Sequence, residues 1–181
     1  MTIKNFLKLQ VFALLFAAII SPLSAHASSP ATIKFVMGTK EVISEAKSSC
    51  PANSIYSGTI TGIGAGTITE NGKSKPLGVL TLTANECITP LNSDFTHFSA
   101  EGSLTLTAGK GNTITALYVT NFSQTEDPND DPLIYEYNNF NLTITAGTGL
   151  FKEASGSGMV EGASNIQSGL GVIIGTMYIS K

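Results

Sequence analysis

Glu136 and Asn138 stand two residues apart in the run LIYEYNNFNLTITA, on the period-two face they share with Ile134, Phe140 and Leu142. A carboxyl on an apolar strand face loses water, its pKa rises, and it becomes a general acid or base. By residue type Glu136 is therefore the catalytic candidate. The competing expectation is that this face reaches a rim where the carboxylate meets water, because charged side chains are rarely buried unpaired. Tyr56, Phe98, Tyr118 and Tyr178 fall with Phe140 on presumed inner faces, and with Glu136 and Asn138 they make up the ligand-binding candidates. Such rings equally build plain core.

Other constellations carry less chemistry. Asp127, Asn129 and Asp131 have the opening spacing of a calcium loop, but Pro132 replaces its glycine and Asn138 its closing glutamate. A solvated acidic loop is expected there, and no metal is assigned. His97 has no serine or aspartate partner at a telling spacing, so no triad is read. Gly147 and Gly149 begin a G-x-G-x-x-G pattern that Lys152 interrupts, and Ala154 to Gly158 is no helix start. These glycines turn a chain, and no cofactor signature is present.

The elements that must hold these residues are strands. Phe98, Ala100, Gly102, Leu104 and Leu106 alternate with Ser99, Glu101, Ser103, Thr105 and Thr107, giving one buried and one wet side. Threonine recurs on the wet faces, as its β-branch favours. The pattern predicts about eight strands, at 32–37, 54–69, 77–84, 97–108, 113–121, 133–146, 156–164 and 170–180. Only Lys40 to Ser48 offers a helix, of two turns at most. Asn71-Gly72 marks a tight hairpin, and short connections make neighbours antiparallel. Gly58, Gly62, Gly64 and Gly66 share one face of the second strand, where they suit a chain coiling around a small barrel. The last strand is apolar on both faces, with Leu170, Val172 and Ile174 opposite Ile173, Met177 and Ile179. Both faces want cover, which leaves a homo-oligomer open.

Charge and export narrow the partners. All ten basic residues are lysines, and beyond residue 27 eight lysines face thirteen acids. No basic stripe exists for nucleic acid, nor any guanidinium fork for phosphate. Lys4 and Lys8, the apolar run Val11 to Ile20 and the triplet Ala25-His26-Ala27 read as a secretory signal peptide cleaved after Ala27. A single domain over 28–181 follows. Ten apolar residues are too few to span a bilayer, and without tryptophan girdles an outer-membrane barrel is a weak alternative. Localisation is thus secreted or periplasmic, without stable membrane insertion. Cys50 and Cys87 both lie in the exported part, where a disulfide is the natural expectation.

The stretch Ile144 to Gly158, ITAGTGLFKEASGSG, resembles the "TGGTGRFAGATGSG" turn of secreted bacterial proteins similar to the allene oxide cyclase and dirigent barrels. Leu77 to Pro90 and Glu101 to Thr107 fit the same pattern. The resemblance implies an all-β, eight-stranded antiparallel calycin-like β-barrel, sometimes trimeric. Leu150 stands where the family usually has arginine, and Ala146 where it has glycine. Dirigent-type activity is associated with cavity arginine and aspartate, and a chain without arginine does not inherit it. The leading expectation is an exported barrel that binds or scaffolds, with a small hydrophobic ligand as its partner. An isomerase or cyclase using Glu136 is the alternative, a structural or adhesive surface protein another, so the sequence leaves open whether the protein is an enzyme.

Overall fold

The computed structural model describes residues 30–109, 111–125 and 131–181, with residues 138 and 139 as backbone only. The expected leader and residues 126–130 of the acidic loop lie outside these. Eight strands run in chain order: β1 (Ala31–Glu45), β2 (Tyr56–Glu70), β3 (Lys73–Pro90), β4 (His97–Ala108), β5 (Asn112–Gln124), β6 (Ile134–Gly147), β7 (Ser155–Asn165) and β8 (Leu170–Ser180). Each pairs antiparallel with the next, and β1 pairs with β8, so the sheet closes into a barrel. The all-β eight-stranded barrel is as expected. The two-turn helix over Lys40 to Ser48 is not formed. The alternation of Phe35, Met37, Thr39, Glu41 and Ile43 continues unbroken, and β1 absorbs the segment as far as Glu45.

Curvature comes from β2. A Cβ on Gly64 would collide with the carbonyl oxygen of Val36 and press on Met37, so only glycine lets β1 lie this close across the bend. Asn71 and Gly72, with φ of 51° and 72°, supply the two positive values of the β2–β3 hairpin.

One end of the barrel is shut and the other open. Ile33, Met37, Leu80, Leu106, Ile114 and Met177 fill the lower interior and are fully buried. The short 3₁₀ turn Gly149–Phe151 inserts Phe151 into that core. Lys181 lies over the Phe151 ring and pairs with Glu70 at 2.6 Å, holding the Glu70 carboxyl below its usual range. At the other end Cys50 and Cys87 form a disulfide across 37 residues, fastening the 46–55 loop to β3. Closing such a loop is worth roughly 3–4 kcal/mol. No described helix is long and apolar enough to cross a membrane.

Candidate ligand site at the barrel mouth

The open end collects the last inward-facing residue of nearly every strand. Ile43, Tyr56, Ile88, Phe98, Phe122 and Tyr135, with Phe95 and Ile166 from the loops, enclose a pocket of about 240 Å³. The rings order one another. Phe98 and Phe122 stack at 5.1 Å, Tyr135 closes against both at 6.0 and 6.1 Å, and the Tyr135 hydroxyl donates to the Phe95 carbonyl at 3.2 Å. Burial, and then the nearby Asp94 carboxylate, hold the Tyr135 phenol above its ordinary pKa.

Directly beneath is a polar layer, produced by the two-residue period of the strands. Stepping two residues inward takes Ile43 to Glu41, Ile88 to Glu86, Phe122 to Thr120, Tyr135 to Tyr137 and Ile166 to Ser164, a descent of roughly 6–7 Å along each strand. Gly58 and Ala100 occupy the same layer and leave room. Glu41 and Glu86 meet above Gly58, where an added Cβ would lie 2.7 Å from Glu41 Oε1 and 2.8 Å from Glu86 Oε1. The Tyr118 hydroxyl donates to Glu86 Oε2 at 2.6 Å, and the Tyr137 hydroxyl to Ser164 Oγ at 3.1 Å.

The electrostatics of this layer are those of two carboxyls denied water. Burial pushes Glu41 up to about 9, helped by its hydrogen bond and charge contact with Glu86. Near neutral pH the pair therefore holds a proton. Glu41 Oε1 is buried and has no hydrogen-bond partner. Burial also raises the Tyr118 and Tyr137 phenols, reinforced at Tyr118 first by Glu86 and at Tyr137 first by Glu41. Below the layer the interior is nearly solid. A void of about 20 Å³ between Phe35, Ile60, Leu82, Tyr118, Tyr137 and Phe140 has room for about one water.

The expected site residues divide. Tyr56 and Phe98 line the mouth, while Tyr118 and Phe140 stand deeper inside, in ring contact at 4.9 Å. Glu136 and Tyr178 are corrected to the outer wall. Two residues of β6, Asn138 and Asn139, bulge between Tyr137 and Phe140. The bulge reverses the alternation: Tyr135 and Tyr137 face inward before it, Phe140 and Leu142 after it, and Glu136 faces solvent. Asn138 sits in this bulge, and its side chain lies outside the described atoms. Tyr178 alternates with the buried Met177 and Ile179 and is 56% exposed. His97 is exposed at the start of β4, with its Nδ1 within 2.9 Å of Asn92 Nδ2 and 3.0 Å of Thr96 Oγ1 in the preceding loop.

Glu41 and Glu86 are the residues that sequence reasoning missed. Both carry the signal used elsewhere, since Thr39-x-Glu41-x-Ile43 and Ala84-x-Glu86-x-Ile88 continue the inward period without a break. One was hidden by the expected helix and the other by ending the third strand at residue 84.

No protein-family model and no curated protein matches the chain. Among solved structures it is similar to the pterocarpan synthase dirigent protein, at 14% identity and a TM-score of 0.42, over 88% of this chain and 92% of that one.

Proposed function

We propose that this chain is an exported β-barrel binding module that holds a small hydrophobic molecule in its open mouth. The observation that carries the reading is the aromatic pocket of about 240 Å³, which lies just below the roughly 300–1,000 Å³ of drug-sized sites and suits one or two fused rings. Shallower depressions of about 610 and 630 Å³ lie on the outer wall, but they are open and mixed in lining. They offer little desolvation to an apolar guest. The disulfide suits an oxidising compartment. Titration with neutral 1-naphthalenemethanol, followed by its fluorescence, is expected to saturate at one site per chain. Ile43→Trp, which fills the mouth from a part-exposed position, is expected to abolish binding without lowering the melting temperature. Absence of saturable binding, or an Ile43→Trp protein that binds like the parent, would remove the reading.

A second reading rests on the Glu41–Glu86 pair. A carboxyl that keeps its proton near neutral pH, one layer under an apolar pocket, is placed to act as an acid–base group of an isomerase or cyclase. This role falls to Glu41 and Glu86 in place of Glu136. Deuterium uptake by the methyl group of 1-acetonaphthone in D₂O is expected to be accelerated by the protein and not by Glu41→Gln. An unaccelerated exchange in the presence of demonstrated binding leaves only the module.

A further inference from the structure

We propose that the mouth pocket selects aromatic molecules carrying a cationic amine on a short arm, with the rings among the mouth aromatics and the ammonium directed down at the Glu41–Glu86 pair. This deepens the binding-module reading and rests on it.

Charge complementarity is the first argument. Two carboxyls facing each other over Gly58 share a proton at most, so negative charge remains on the pair. Among the described residues neither carboxyl forms an ion pair, and Lys47, which lines an outer depression together with Glu86, is exposed. The chain has no arginine, the described lysines of the wall point to solvent, and Lys181 lies at the closed end with Glu70. Asp94 adds a further negative charge beside Tyr135 at the rim. A carboxylate or phosphate entering this mouth is opposed at both levels, whereas a cation is attracted at both.

The second argument is an unmet hydrogen bond. Glu41 Oε1 is enclosed without a donor, and a buried acceptor left unpaired costs on the order of 1–3 kcal/mol. The two phenol hydroxyls are already committed, Tyr118 to Glu86 and Tyr137 to Ser164. An N–H donor on a guest can meet this oxygen. Glu41 itself is inward-facing and only partly buried, one step below Ile43 of the mouth.

The third argument is the wall. Phe98 and Phe122, stacked at 5.1 Å, belong to a wall of rings whose faces are of the kind that attract ammonium groups. From there a continuous set of ring contacts descends through Tyr137 and Phe140 to Tyr118, the residue that holds Glu86. The step of roughly 6–7 Å between the aromatic and acidic layers is spanned by one methylene and an ammonium reaching toward a glutamate arm.

The test compares three probes with the same ring system at pH 7: 1-naphthylmethylamine, 1-naphthalenemethanol and 1-naphthylacetate. The amine is expected to bind at least about tenfold more tightly than the alcohol, and the carboxylate more weakly than either. In the Glu41→Gln/Glu86→Gln protein the amine advantage is expected to fall below about threefold, with the alcohol unchanged. If the alcohol binds and the amine is no tighter, or the carboxylate is tightest, this inference is overturned while the pocket stands. If none of the three binds, the pocket reading fails and this inference with it. The wild-type comparison stands whether or not the double variant folds.

Discussion

Glu41 couples the candidate site to the stability of the whole chain. In an unfolded chain its carboxyl titrates near 4.5, whereas in the barrel it retains its proton up to about 9. A folded pKa raised above the unfolded one contributes stability that is fully present below pH 4.5 and lost as pH climbs through 9, because the native state binds the extra proton across that window. Stability is therefore expected to fall between pH 5 and pH 9 by an amount on the order of a few kcal/mol, which lowers the melting temperature by about 10 °C. Glu41→Gln, which keeps the shape and removes the titration, is expected to flatten this slope. An unchanged slope in the variant would mean that Glu41 is solvated in the native barrel. The misplacement of Glu136 has a cause at the same scale. Strict alternation breaks at two consecutive asparagines, where the chain inserts a bulge, and polar pairs at a strand centre carry no local mark separating bulge from register.

At the scale of elements, β8 shows how one strand serves two environments. Its inner residues Ile173, Met177 and Ile179 enter the core, and Gly175 yields its space to the Phe35 ring. Its outer residues Leu170, Val172 and Ile174 stay exposed, continued by Met159 on β7 and Val36 on β1. We read this apolar stripe as the face that a second copy covers, since exposed patches of this kind mark association. Sedimentation at high protein concentration is expected to give a multiple of the monomer mass, and Val172→Lys to return the monomer. A wild-type protein that sediments as a monomer would leave the stripe without this role. Strand existence, hairpin positions and the double-sided character of β8 were all legible, because period-two patterning and Asn-Gly chemistry act locally. Strand ends were less so. Glu41 and Glu86 stand just where a polar residue ordinarily signals that a strand is over, and only closure of the barrel around them makes them interior.

For the molecule as a whole, closure was readable from the line of glycines along β2, which has no use in a flat sheet but is needed where β1 bends across it. The asymmetry between the two ends was not. It depends on Phe151 entering the core at one end and on rings from several strands and loops enclosing a pocket at the other, and no single segment encodes either. The seam has its own implication for biogenesis. Ala31 finds its partner on the far side only at Ile179, so nearly the full polypeptide must emerge before the cylinder can shut. Until then two raw margins of sheet lie bare, each able to recruit a neighbouring chain, and a carrier that delays association during synthesis would act on that interval.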